Sequence, residues 1–203
     1  MFNMISYLGD LALGVIDKTG YAGVFILSML ESAAIPIPSE IVVPFSGFLA
    51  TVGRFSFWLV VFVATTANLA GSIFLYWIGS KGGRWFLEKY GKMVFIHKHD
   101  LERGDKWFAK YGTKAIFFGR MLPVVRTFIS LPAGVAGMNL SEFSLFTFLG
   151  SLPWNFFLAA IGYKAGEHWM VLHSYFRKLD ILIVLLIGVL IAVYLWKHIR
   201  KKQ

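Results

Sequence analysis

Long apolar stretches alternate with short polar ones along this chain of 203 residues. The stretches at residues 57–78, 143–163 and 179–197 lie close to the ~20 residues that a helix needs to cross a bilayer. Trp58 and Trp77 lie near the two ends of the first stretch, where aromatic side chains anchor helices at the membrane interface. The pattern therefore predicts three transmembrane helices.

Two further apolar stretches, residues 21–53 and 114–138, are interrupted by prolines. The limbs on either side of each interruption are too short to cross a membrane. Proline in a lipid-embedded helix frees backbone hydrogen-bonding groups, which is tolerated only where protein or a water-filled cavity satisfies them. We therefore predict that each stretch is a re-entrant helical hairpin. The predicted breaks are at Pro36, Pro38, Pro123, Pro132 and Gly134.

The composition is that of an integral membrane protein, because 57% of the residues are apolar and only 15% are charged. The chain has no cysteine, which excludes disulfides and thiolate metal sites. Residues 80–114 contain nine Lys/Arg and four Asp/Glu, and the C-terminal residues from Lys197 contain four Lys/Arg and no acid. The net charge of +9 therefore reports membrane topology and does not indicate nucleic acid as a partner.

The two basic regions are expected on the cytoplasmic side of the membrane. Two crossings separate them if residues 114–138 turn back, whereas three crossings separate them if this segment spans. Only the re-entrant arrangement keeps both regions inside. We therefore expect the loop at residues 80–112 and the C-terminus in the cytoplasm. The second hairpin then enters the membrane from the cytoplasm, and the first hairpin enters it from outside.

The second half of the chain repeats the order of parts in the first half. Each half has an interrupted stretch and then a crossing that ends alike, with IGSKGG at 78–83 and IGYKAG at 161–166. Because each half contains one full crossing, the second copy is inverted relative to the first, an arrangement found in transporters. The predicted fold is an all-α polytopic membrane protein with an inverted repeat of two re-entrant hairpins, each followed by a transmembrane helix. Its parts are an N-terminal amphipathic helix (1–19), a first repeat (20–83), a cytoplasmic loop (84–110), a second repeat (111–166), a C-terminal transmembrane helix (179–197) and a basic tail (198–203).

Four charged side chains are predicted at membrane depth, Glu31 and Glu40 in the first hairpin and Arg120 and Arg126 in the second. A charged residue at the centre of a membrane helix costs about 2.5 to 3.5 kcal/mol, so such residues face a protein interior or a wet cavity. The break in each hairpin would let both of its charged residues point at one site. The four charges sum to zero and can be buried together if the hairpin tips meet. The alternative is that some of them snorkel to lipid headgroups.

The chemistry of these four groups suits an anionic lipid headgroup. The planar fork of arginine binds phosphate with two hydrogen bonds and keeps its proton. A carboxylate beside an arginine in a low-dielectric site can exchange a proton as an anion arrives and leaves. Coupling of anion binding to protons is therefore a hypothesis with a physical basis.

The other polar groups give no sign of an enzyme, a cofactor or a metal site. Ser46 has no histidine in the membrane segments to act as its base, so catalysis of the triad kind is not expected. The glycine-rich segment GSKGGR at 79–84 lacks the spacing of a phosphate-binding loop, and lipid headgroup contact or a helix cap is the simpler interpretation. Arg54 and Glu142 lie at segment edges and are expected at the membrane interface. The histidines fall in loops or in the tail, at His97, His99, His168, His173 and His198.

Three motifs of the chain resemble the DedA family, also called the VTT-domain superfamily. They are Glu31 with PIPSE at 36–40, FFGRMLPVVR at 117–126, and LPAG at 131–134 with Gly137 after it. The resemblance covers about residues 20–166. Many members of the family have an aspartate in a Pro-Gly-Asp sequence where this chain has Glu40 in Pro-Ser-Glu.

The resemblance implies two re-entrant hairpins in inverted repeats and a role in lipid translocation. Bacterial members return undecaprenyl phosphate to the cytoplasmic face, others move phospholipids, and proton dependence recurs. By this resemblance Glu31 and Glu40 are candidate proton-linked acids, and Arg120 and Arg126 are candidate phosphate-binding residues. The expected protein is a bacterial inner-membrane translocase of undecaprenyl phosphate that uses protons, and a homodimer is compatible with this arrangement.

Four alternatives stay open. A flippase or scramblase for phospholipids such as phosphatidylethanolamine would use the same fold. A proton-coupled exporter of small cations would use the acids, although two arginines in one site disfavour a cationic substrate. A lipid phosphatase would require a base that the membrane segments lack, and a structural scaffold would not require the arginines.

Overall fold

The computed structural model describes residues 2–35, 39–90, 98–122 and 125–166, and the regular structure in these ranges is helical. The helices are α1 (Phe2–Thr19), α2 (Tyr21–Ser32), α3 (Ser39–Thr51), α4 (Phe57–Ile78), α5 (Arg84–Tyr90), α6 (Lys98–Gly119), α7 (Val125–Phe128), α8 (Ser130–Val135) and α9 (Leu140–Ala165). A π-helical turn at Gly79–Gly83 joins α4 to α5. The predictions for Pro36, Pro38, Pro123, the helix at 179–197 and the basic tail lie outside the described residues.

Two helices in the described part of the chain are long and apolar enough to cross a membrane. One is α4, which continues through the π-helical turn to Phe86, and the other is α9 with 26 residues. They agree with the predicted crossings at 57–78 and 143–163. Asn139 caps α9, because its side-chain oxygen accepts hydrogen bonds of 2.9 and 3.2 Å from two N–H groups of the first turn. α9 continues through Pro153 without a break.

The interrupted stretches form shorter helices. α2 has 12 residues and α3 has 13, and at ~1.5 Å per residue neither reaches across the ~30 Å hydrocarbon core of a bilayer. In the second stretch, α7 and α8 contain four and six residues and are separated at Ile129. Pro132 and Gly134 both lie within α8. Pro132 occupies its first turn, where a missing N–H removes no helical hydrogen bond.

α6 runs without interruption from Lys98 to Gly119, so the predicted start of the second hairpin at residue 114 falls inside a helix. The polar first half of α6 and the apolar limb that follows are therefore one element. A glycine costs a helix only ~1 kcal/mol, so the glycines inside α6 do not end it. The predicted loop 84–110 accordingly contains α5 and the start of α6.

Each long helix packs most extensively against one helix from each interrupted stretch, although α4 also touches α3. α4 contacts α2 and α8, whereas α9 contacts α3 and α6, and the two long helices also contact each other. A Cβ on Gly79, which directly follows α4, would overlap the backbone of α8, and one on Gly162 of α9 would overlap the backbone of Pro44 in α3. Gly134 and Gly47 approach the backbones of α4 and α9 in the same way. The packing of the two halves is therefore reciprocal.

The glycine-rich segment 79–84 belongs to a helix and does not form a cap that ends one. The backbone angles at Gly79 are helical, with φ −60° and ψ −46°, and the chain passes directly into α5. Gly79 and Gly83 allow close packing against α8, because a Cβ on Gly79 would meet backbone atoms of α8 and one on Gly83 would meet the side chain of Val135. Lys81 is exposed on this turn, so lipid headgroup contact stays a prediction.

The two charged residues expected at the interface, Arg54 and Glu142, are both exposed. Arg54 donates hydrogen bonds to the side chain and the backbone carbonyl of Asp17, which ties the connection between α3 and α4 to α1. Glu142 lines a cavity of about 460 Å³ between α6 and the start of α9, together with Asp105 and Lys110. Arg54 and Glu142 are therefore separate from the group of buried charged residues described next.

Candidate functional site

Glu31 and Arg126 form a buried ion pair that joins the two interrupted stretches. Glu31 lies near the C-terminal end of α2, and Arg126 lies in α7. Oε1 of Glu31 accepts a hydrogen bond from Nη2 of Arg126, and the two side chains are only 10% and 6% exposed. The two interrupted stretches therefore meet at this ion pair. Such a meeting is the condition under which charges from both stretches can be buried together.

Arg120 is the second buried cation and follows directly after α6. Its Nη2 donates a hydrogen bond of 2.7 Å to Oγ of Ser130, which ties the end of α6 to the start of α8. Its guanidinium interacts electrostatically with Arg126 and with Glu31. We call Glu31, Arg120 and Arg126 the charge cluster. Two arginines and one glutamate give this cluster a formal charge of +1.

Glu40 is not part of the charge cluster. It lies in the first turn of α3, is half-buried, and makes no hydrogen bond or ion pair within the described residues. The structure thus pairs one of the two predicted acids with the arginines and does not assemble a neutral set of four. Because burial of an unbalanced charge is costly, the charge cluster is suited to an anion.

Helix α9 forms one wall of the charge cluster. The ring centroid of Trp154 lies 5.4 Å from the guanidinium carbon of Arg126, and that of Phe143 lies 6.0 Å from the guanidinium carbon of Arg120. Both distances are in the range of cation–π interactions. A Cβ added to Gly150 would lie 2.9 Å from Cβ of Arg120. The glycine at position 150 therefore lets Arg120 approach the surface of α9.

A network of buried amides and hydroxyls connects α2, α4 and α9 beside the charge cluster. Nδ2 of Asn68 in α4 donates to Oγ of Ser32 at 2.8 Å and to a backbone carbonyl of α2 at 3.1 Å. Nδ2 of Asn155 in α9 donates to Oδ1 of Asn68 at 2.8 Å. Ser32 directly follows Glu31, so the network fixes the end of α2 that presents the carboxylate.

Sequence reasoning that looked for charges and prolines missed this network. The signal was available, because Asn68 and Asn155 lie inside the apolar stretches 57–78 and 143–163, where a buried amide requires partners. Their pairing with each other joins positions 87 residues apart, which no local pattern indicates.

These features define a helical membrane protein in which two interrupted stretches meet at a buried cationic cluster. The family profile described as the VTT domain matches residues 37–164, more than half of the chain. The chain belongs to the VTT-domain family, and the resemblance to the DedA family is confirmed. Glu40, Arg120 and Arg126 lie within the matched region, and Glu31 lies shortly before it.

The chain is similar to several bacterial proteins. It is 38% identical over 179 residues to undecaprenyl phosphate transporter A of Bacillus subtilis (strain 168), covering 88% of each chain. It is 32% identical over 195 residues to the protein of the same name from Staphylococcus aureus, covering 92% of this chain and 96% of the relative. It is also 31% identical over 198 residues to an alkaline phosphatase-like protein of Lactococcus lactis subsp. lactis, covering 95% of this chain and 92% of the relative. No solved structure matches the chain.

Proposed function

We propose that this protein is a lipid translocase that moves undecaprenyl phosphate across the bacterial inner membrane for recycling of the carrier lipid. The observation that carries the proposal is the buried charge cluster, which has one more cation than anion. A phosphate headgroup would balance this charge, and arginine binds phosphate with two parallel hydrogen bonds. The names of two relatives, undecaprenyl phosphate transporter A, support the choice of lipid.

Phosphate and Glu31 compete for Arg126 in this mechanism. An arriving phosphate accepts hydrogen bonds from Arg126, which in the structure donates to the Glu31 carboxylate. A buried carboxylate that has lost its cation is neutralised by a proton. Binding of the lipid anion is thereby coupled to proton uptake by Glu31, and release of the anion reverses both steps. Glu40, half-buried at the start of α3, is the second proton-linked acid.

The two interrupted stretches are re-entrant hairpins of an inverted repeat in this proposal. The reciprocal packing of α4 and α9 supports it. When the halves are aligned on the Ile-Gly pair that ends each crossing, Asn68 corresponds to Ser151 and Ser72 corresponds to Asn155. All four side chains are buried, so each half contributes one amide and one hydroxyl at equivalent positions. Alternating access would separate α2 from α7 and expose the charge cluster to one side at a time.

Arg126→Lys is expected to slow transbilayer movement of undecaprenyl phosphate in proteoliposomes at least about tenfold. Lysine keeps the charge but loses the planar fork, and a hydrogen bond to a charged group contributes about 1.5 to 3 kcal/mol. Arg54→Lys is the matched control, because Arg54 is exposed and pairs with Asp17 away from the charge cluster. The control should move the lipid at the wild-type rate.

Other outcomes of the same assay would contradict the proposal. Movement of phosphatidylethanolamine by the wild type and by Arg126→Lys, without movement of undecaprenyl phosphate, would indicate a phospholipid flippase. Release of inorganic phosphate from the lipid would indicate a lipid phosphatase, and proton-driven cation export would indicate an exporter. Full function after Arg120→Ala combined with Arg126→Ala would indicate a scaffold. A rate that does not respond to a proton gradient would refute the coupling alone.

Single cysteines can test the re-entrant topology, because the chain has no native cysteine. Lys106→Cys in α6 and Ser141→Cys in α9 flank the second interrupted stretch, and both side chains are exposed. If residues 114–138 turn back, a membrane-impermeant maleimide should label both cysteines from the cytoplasmic face only. Labelling of the two positions from opposite faces would mean that the segment spans, which is incompatible with the inverted repeat.

A further inference from the structure

The face of α9 that covers the charge cluster contains a buried indole N–H without an acceptor. Nε1 of Trp154 has no hydrogen-bond partner among the residues that the structure describes. The indole N–H is a donor only, and buried tryptophans normally find an acceptor for it. Nε of Arg120 is also buried and has no acceptor among the described residues. Two unsatisfied N–H donors therefore accompany the excess positive charge.

Arg120 and Trp154, which carry the two donors, meet at the same face of α9. Gly150 lies against Arg120, and Trp154 follows one helical turn later on the same face. Long side chains in a helix lean toward its N-terminus, which favours a position of the indole on the side of α9 that contains Gly150. The same indole ring lies 5.4 Å from the guanidinium carbon of Arg126. Trp154 therefore contacts Arg126 and lies one helical turn from the glycine that contacts Arg120.

We propose that Trp154 is a phosphate-binding residue of this site. Its indole N–H and the Nε–H of Arg120 donate to oxygens of the headgroup that Arg126 binds with its guanidinium fork. The π face of the indole also holds the guanidinium of Arg126, so Trp154 contacts the anion and orients one of its cations. This inference deepens the proposed function and rests on it.

The arrangement favours a phosphate monoester over a diester. A phosphate monoester offers three terminal oxygens as strong acceptors, which matches the three donor groups supplied by Arg120, Arg126 and Trp154. A diester headgroup such as that of phosphatidylethanolamine has one terminal oxygen fewer, and it has a substituent where the third donor would bind. Trp154 is therefore a specificity-determining residue for the phosphate group as well as a binding one.

Trp154→Phe removes the N–H and keeps an aromatic ring beside Arg126. We expect the Kd for undecaprenyl phosphate in detergent micelles to rise roughly tenfold or more, the change expected for one hydrogen bond to a charged acceptor. Binding of phosphatidylethanolamine should not change. The Tm of the ligand-free protein should stay the same or rise slightly, because the substitution removes an unsatisfied donor. A purely structural role of Trp154 would instead lower the Tm.

Trp58→Phe is the matched control, because Trp58 is 70% exposed at the start of α4 and should bind the lipid as the wild type does. If Trp154→Phe does not fold, 3-benzothienylalanine at position 154 replaces the N–H by sulfur within nearly the same shape. Its expected effect on the Kd is the same as that of Trp154→Phe.

Two results separate this inference from the proposed function. An unchanged Kd in Trp154→Phe, with binding lost in Arg120→Ala, would overturn the role of Trp154 and leave the proposed function standing. Wild-type binding by both Arg120→Ala and Arg126→Lys would overturn the proposed function itself. Inorganic phosphate is a second probe and identifies the source of the phosphate group. If inorganic phosphate competes with the lipid, and Trp154→Phe weakens the binding of both ligands, the site recognises the phosphate group of the lipid. If the protein binds inorganic phosphate but not the lipid, with the same dependence on Trp154, the free anion is the ligand.

Discussion

Replacing Glu31 with alanine is expected to lower the free energy of unfolding by about 3 to 5 kcal/mol, the cost of removing one partner of a buried ion pair. The Glu31 side chain is only 10% exposed and is the anion of a cluster with two buried guanidinium groups. Without it, Arg126 and Arg120 repel each other where water screens them poorly. The effect can be measured by denaturant unfolding of the purified protein in detergent.

A double variant tests whether the ion pair is the cause. Glu31→Ala combined with Arg126→Leu removes both charges, and replacement of a buried ion pair by apolar groups is often nearly neutral. The double variant should therefore be more stable than Glu31→Ala alone. Asp17→Ala is the control, because it breaks the exposed pair with Arg54 and should cost no more than about 1 kcal/mol. Strictly additive effects at Glu31 and Arg126 would contradict the pairing.

Features with a local signal could be predicted from the sequence. The apolar runs at 57–78 and 143–163 agree with α4 and α9, because the length and the polar ends of such a run are visible within one segment. The arginines at 120 and 126 were recognisable by type, since the cost of burying a charge leaves few of them in apolar segments. Both are buried in the structure.

Pairing between segments could not be predicted in the same way. Residue type makes Glu31 and Glu40 equivalent, yet only Glu31 pairs with Arg126, across 95 residues of sequence. The choice between the two acids depends on how closely α2 approaches α7. Asn68 and Asn155 illustrate the same limit, because the side-chain hydrogen bonds that each amide donates go to another helix.

The start of the second hairpin shows how a polar pattern can mislead. Composition changes from polar to apolar near residue 114, which suggested a boundary between a loop and a hairpin limb. α6 nevertheless continues across this change to Gly119. A change in polarity reports where a helix meets a different environment, whereas a helix ends where its backbone hydrogen bonds end.

Gly162→Ala is expected to lower the free energy of unfolding by about 1 to 3 kcal/mol, the usual cost of forcing extra volume into a packed interior. The added Cβ would overlap backbone atoms of Pro44 in α3, and a backbone cannot rotate away as a side chain can. Gly79→Ala should act alike, since its Cβ would meet the backbone of α8 at Leu131. Denaturant unfolding in detergent measures both variants.

Gly104→Ala is the matched control, because it is the same substitution inside α6 with no atom within 4 Å of the new Cβ. Alanine favours a helix over glycine by up to ~1 kcal/mol, so this variant should be slightly more stable than the wild type. A stable and active Gly162→Ala would mean that α3 and α9 separate readily, which contradicts the reciprocal packing. Similar losses of stability in Gly162→Ala and Gly79→Ala would mean that the two halves are held by equivalent glycine contacts. Those two contacts would then hold the interrupted stretches in the positions that bring Glu31 to Arg126.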